Sequence, residues 1–110
     1  MKLNHNDINA SVMPNFNGGE KEFRANIYND GLNKIITRGV LIPGASIGLH
    51  THTESSEIIY VLEGIGTMVC DGIEEVLLPG DIHYCPKGSS HTFINKNDCD
   101  LVFFAIVPNQ

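Results

Sequence analysis

Apolar and polar positions along most of this chain alternate with a period of two, and no stretch repeats with the helical period. Phe23, Ala25 and Ile27 alternate with Arg24, Asn26 and Tyr28, which predicts a strand with one buried face. Asn29-Asp30-Gly31 supplies turn chemistry, and a second strand over residues 35–42 stops at Pro43-Gly44. Further strands are predicted over residues 45–52, 57–62, 67–70, 73–78, 82–85, 91–95 and 101–107. Asp71-Gly72 sits between two of them as a two-residue hairpin signal. Turns this frequent, with no helix between them, are the signature of an all-β sandwich or barrel.

Residues 1–20 show little periodicity and read as an N-terminal arm or tail, with one β domain over residues 21–110. Two of the predicted strands do not alternate: residues 58–62 and 101–107 are apolar on both faces. A strand of an exposed sheet should be polar outward, so these two need cover on their second face. A homodimer would supply it; the arm is the other source.

Composition narrows the class of partner. The chain has 110 residues, 42% of them apolar, enough for one domain with its own core. Its formal net charge is −6 and its few basic residues are scattered, which excludes a nucleic-acid footprint. No apolar run approaches a membrane span, and the polar, Asn-rich start lacks the core of a signal peptide. Cys70, Cys85 and Cys99 are odd in number and widely spaced, as expected of reduced thiols in a cytoplasmic protein.

The chemistry concentrates in residues 44–64. His50 and His52 are two residues apart on a predicted strand, so both imidazoles point to one face, together with Ser46 and Gly48. Gly48 leaves room beside them. Glu57 opens the next strand, and a short turn over residues 53–56 brings its carboxylate back towards the imidazoles. Two imidazoles and a carboxylate suit a divalent first-row metal. His91, at the start of a later strand, is a candidate fourth ligand.

The pattern G-x5-H-x-H-x4-E-x6-G is met by Gly44, His50, His52, Glu57 and Gly64. The pattern G-x5-P-x-G-x2-H-x3-N is met by Gly80, Pro86, Gly88, His91 and Asn95. These segments resemble the two motifs of the cupin superfamily, in the same order and with no departure at a specified position. The resemblance covers about half of the chain. It implies a small single-domain cupin, a double-stranded β-helix or jelly-roll barrel. It also implies one divalent transition metal per chain, held by His50, His52, Glu57 and His91 near the barrel axis. Mn or Fe fits this thiolate-free set first, with Zn, Ni, Co or Cu also compatible.

Fold does not settle activity. The expectation is a metal-dependent enzyme of the oxygenase, decarboxylase or isomerase class, acting on a small oxygenated or carboxylated molecule. The alternative is a non-catalytic module that binds a small ligand or metal. Oxalate decarboxylases carry an arginine shortly before the first histidine; here that stretch is Ser46-Ile47-Gly48-Leu49, which speaks against that reaction. Ile59, Val61 and Phe93 share parity with the ligands and should form an apolar pocket wall. In strand 82–85 either Tyr84 or His83 faces the cavity. An aromatic is common at this position in related cupins, so Tyr84 is the expected inward and catalytic residue, and His83 a packing or interface residue before it is a proton-transfer group or a support for a ligand. Cys85 reads as a buried small residue beside the site, and Arg38 as either a carboxylate anchor or a surface cation.

Overall fold

The computed structural model describes residues 1–110. Ten strands make up the fold: β1 (Ala10–Pro14), β2 (Glu22–Asn29), β3 (Lys34–Leu41), β4 (Ser46–Thr51), β5 (Glu57–Glu63), β6 (Gly66–Cys70), β7 (Ile73–Leu77), β8 (Ile82–Cys85), β9 (Ser90–Ile94) and β10 (Leu101–Val107). They form two antiparallel sheets. One has six strands in the order β1-β2-β3-β10-β5-β8, and the other has four in the order β4-β9-β6-β7. Neighbours distant in sequence, such as β3 and β10 or β4 and β9, are those of a jelly-roll barrel. No helix is long and apolar enough to cross a membrane.

Alternation places the core between the sheets. Phe23, Leu41, Ile59, Val61 and Phe103 enter it from the larger sheet, and Met68 and Phe93 from the smaller one. Phe23 stacks on Phe103 at 5.7 Å between ring centroids, and Phe93 meets Phe103 edge-on at 5.3 Å. Asp71 and Gly72 both take positive φ, as the two-residue hairpin between β6 and β7 requires.

Three local features depart from simple alternation. Residues 1–20, expected as an arm or tail, add β1 to the sheet edge by pairing with β2. The turn Phe16–Gly18 follows β1 and packs on β4. Strand β4 carries an irregularity: Ile47 lies opposite Phe93 and His50 opposite His91, so three steps on β4 match two on β9. This bulge puts Ile47 and His50 on the same inner side, whereas the strict alternation that groups Ser46, Gly48, His50 and His52 would turn Ile47 to the opposite face. Finally, the space left by Gly48 is taken by the N-terminal turn and not by the imidazoles. A Cβ on Gly48 would overlap the carbonyl oxygen of Asn17.

Candidate metal centre

Two sheets contribute to one cluster. His50 on β4 and His91 on β9 are cross-strand partners, and His52 follows immediately after β4. Glu57 begins β5 of the opposite sheet, after the short connection 52–56 has turned the chain over. His91 Nε2 lies 3.0 Å from both His50 Nε2 and His52 Nε2, and 2.9 Å from Glu57 Oε1. His52 Nε2 lies 3.2 Å from the same carboxylate oxygen. His52, Glu57 and His91 are buried, and His50 is half-buried.

The orientation of the rings identifies what such a cluster suits. His50 Nδ1–H donates to the Gly48 carbonyl oxygen at 2.7 Å, so its Nε2 carries a lone pair in the neutral ring. His52 Nδ1 is within 2.9 Å of Ser55 Oγ, and His91 Nδ1 within 3.1 Å of His83 Nε2. All three rings are thus anchored through Nδ1 and aim Nε2 inward, the arrangement by which outer hydrogen bonds orient metal-binding imidazoles. Three inward nitrogens facing a buried carboxylate are a donor set matched to a divalent cation.

The same burial tunes the acids and bases. Burial opposes ionisation of Glu57, but hydrogen bonds from His52 and His91 hold its carboxyl down to about 2. Burial lowers the His50 pKa, partly offset by its bond to Gly48. Burial and the neighbouring His91 push His83 down to about 4 from an ordinary 6.5. All three shifts have the same consequence in acid. An unfolded chain takes up a proton on His83 below pH 6.5 that the folded one refuses until about 4. Glu57 adds stability above its ordinary 4.5, which is lost as pH falls towards about 2. The melting temperature of chelator-treated protein should therefore fall steadily as pH drops from 6.5, and His83→Asn should make the part of the curve above about pH 4.5 shallower, leaving the slope that His50 contributes. A flat wild-type profile from pH 6.5 to 4 would refute this assignment.

A cavity of about 300 Å³ opens from the cluster. Of the three residues expected on its wall, Ile59 and Phe93 are in the lining and Val61 is not: it is fully buried in the core. Sequence reasoning missed Phe16, Ile27, Ile36 and Ile47 on its walls, and Asn17 and Lys34 as polar neighbours. Ile47 escaped because of the bulge, and Phe16 because the N-terminal segment carried no strand signal. Lys34, at the start of β3, is the cationic side chain in the lining. Arg38 is exposed and outside it.

Tyr84 requires a correction. It is the cross-strand partner of Ile58 and points outward, 56% exposed, whereas His83 is opposite the inward Ile59 and is 5% exposed. Directly opposed residues share a face of the sheet, so the edge strand β8 presents His83 to the interior. His83, expected first as a packing or interface residue and second as a support for a ligand, stacks on His91 at 5.3 Å between centroids. Cys85 is buried, as expected, opposite Glu57.

The comparisons agree with this geometry. The family model described as Cupin domain matches residues 38–107, which include both motif segments. An oxalate-binding protein from Thermotoga maritima is 30% identical to this chain, over 97% of its length and 93% of the relative's. The crystal structure of a predicted oxalate decarboxylase from Thermotoga maritima superposes with a TM-score of 0.88 at 28% identity, covering all of both chains. A sugar phosphate isomerase from Silicibacter pomeroyi, itself of the cupin superfamily, superposes with a TM-score of 0.78 at 26% identity, covering all of this chain and 76% of the other. Two facing sheets that close around a three-histidine, one-glutamate cluster, and a family match across most of the barrel, make this chain a small single-domain cupin of double-stranded β-helix fold.

Proposed function

We propose that this cupin holds one divalent transition metal, Mn or Fe first, on His50, His52, Glu57 and His91, and uses it to bind a small carboxylate-bearing molecule. The observation that carries the reading is that the cluster lines a cavity of about 300 Å³ whose other walls are largely apolar. Such a pocket orients its occupant through few polar anchors. The metal would take a carboxylate or vicinal oxygens, the Lys34 ammonium a second anionic group, and Phe16, Ile27 and Ile36 the remaining carbon atoms. A relative described as oxalate-binding supports a carboxylate as the ligand class. The missing arginine before His50 remains a difference from oxalate decarboxylases, and Lys34 is a cation of different position.

The enzyme reading, an oxygenase, decarboxylase or isomerase, rests on the cluster. When bound, a metal would supply Lewis acidity or O₂ activation. The non-catalytic alternative is favoured by the cavity itself, which outside the cluster offers Lys34 as its titratable side chain. Thermal shift with metal-loaded protein tests the ligand class, and product analysis on the same ligands tests turnover. Aliphatic and aromatic carboxylates, and oxalate, should raise the melting temperature, while free sugars should not. Lys34→Met should weaken dicarboxylate binding about tenfold. Phe16→Ser should weaken ligands with an apolar end and leave metal content unchanged. Stabilisation by sugars alone would overturn the carboxylate assignment.

We also propose a homodimer through the outer face of the larger sheet. Ile58, Tyr60 and Leu62 of β5, and Ile82 and Tyr84 of β8, form an exposed patch without a charged side chain, continued by the half-buried Phe104 and Ile106. A second copy related by a two-fold axis buries this patch against itself. Light scattering at micromolar concentration should give twice the 12.1 kDa chain mass, and Ile82→Glu should give one chain mass with the fold intact. A monomeric wild type would end the proposal.

A further inference from the structure

A second donor cluster lies outside the cupin site. Cys70 is the last residue of β6, and His83 and Cys85 are two residues apart on β8, on its inward face. One ligand atom from each of the three lies within 4.8 Å of the others. Cys85 and His83 are buried and Cys70 is half-buried. The cluster shares no residue with the first one, and its chemistry differs: two sulfurs and one imidazole instead of three imidazoles and a carboxylate.

We propose that Cys70, His83 and Cys85 form a second, thiophilic metal site that takes an ion such as Zn(II). Two thiolates and an imidazole are a set that zinc accepts, and three protein ligands leave a fourth position for water or an added ligand. That position has a place to face. A surface cavity of about 280 Å³ is lined by Cys70 and His83, with Asp71, Glu75 and Tyr84 among its other walls. Packing alone accounts for Cys85 as a small buried residue but not for a second sulfur, that of Cys70, brought from the other sheet to the point where Cys85 and His83 already meet. His83 makes its side-chain hydrogen bond through Nε2, to His91, which leaves Nδ1 for the ion. Burial raises the pKa of both thiols, that of Cys85 to about 12, so the free sulfurs stay protonated and an entering ion displaces two thiol protons.

The contact with His91 determines how the site must be tested. An ion on His83 Nδ1 leaves Nε2–H to donate to His91 Nδ1. An ion on His91 Nε2 requires the proton on His91 Nδ1 instead. The two occupancies compete for one hydrogen bond, so the first cluster should be disabled. Co(II) is added as a zinc substitute to His50→Ala/His52→Ala protein, reduced with a phosphine. Thiolate-to-cobalt charge-transfer absorption should saturate at one Co(II) per chain. It should vanish in Cys70→Ser and in Cys85→Ser, persist in Cys99→Ser, and require at least tenfold more Co(II) in His83→Ala. If the double variant fails to fold, the same absorption is read in His50→Ala alone, whose first cluster is still disabled and contains no sulfur that could produce it. Absence of the band, or its survival when Cys70 and Cys85 are both replaced, overturns the proposal.

Discussion

His91→Ala is expected to abolish stoichiometric binding of a divalent ion at the cupin cluster, lowering affinity by more than about 100-fold. Loss of an outer hydrogen-bond partner alone costs a metal site about 10–100-fold, and His91 is the hub of the donor set itself. Its Nε2 is within 3.0 Å of His50, His52 and Glu57 at once. Removing the ring leaves the other three without their common neighbour and opens a void beneath them. Elemental analysis after metal loading and desalting reads the effect, with Cys70→Ser and Cys85→Ser in both proteins compared so that the sulfur cluster adds no ion. Metal should raise the melting temperature of the wild type and leave that of the variant unchanged. A variant that still carries one equivalent would show that the ion sits elsewhere.

Gly48→Ala should destabilise the protein by about 3 kcal/mol or more, the upper range for overpacking a filled site. In melting temperature that is a fall of about 12 °C or more. The new Cβ would overlap the Asn17 carbonyl oxygen and lie 2.8 Å from the Gly19 backbone nitrogen. Both are backbone atoms, so no side-chain rotation relieves the clash. Either β4 or the 16–19 turn has to move. The first displaces the carbonyl that anchors His50, and the second withdraws Phe16 from the cavity wall. Ligand affinity should therefore fall along with stability, and protease sensitivity should rise first near residues 15–20. An unchanged melting temperature would mean that the N-terminal turn is not seated on β4.

The strands of the barrel were legible because their inner faces are apolar at every second position and their turns carry Gly, Pro, Asn or Asp. β1 was not: its five residues are exposed or half-buried, so burial left no alternation to read. The spacing of His50, His52, Glu57 and His91 pointed to a shared site because strand parity and a short reversal suffice to predict convergence. Parity failed at Ile47, where the bulge inserts an extra residue that period-two reasoning cannot detect. It was also undecided in β8, where both faces carry an aromatic-sized residue and an aliphatic or sulfur neighbour. The register against β5 settles it, and that register is a property of pairing and not of the four residues themselves. Val61 has the correct parity for a wall residue but lies too far along β5 from Glu57 to reach the cavity.

The division of the four cluster residues between the sheets has a mechanical consequence. Three sit on or beside β4 and β9, and Glu57 belongs to the sheet they face. An ion gripped by all four would be a cross-link between two layers that otherwise adhere through apolar contact. By mass action, an ion bound only to the folded chain adds about 2.7 kcal/mol when its free concentration is 100 times its dissociation constant. That gain opposes the parting of the layers at this end of the barrel. Ambient metal concentration would then set how long the barrel stays closed as well as what it binds. Chelation should accordingly increase amide hydrogen exchange in β4, β5 and β9 before it does so in β2 and β3.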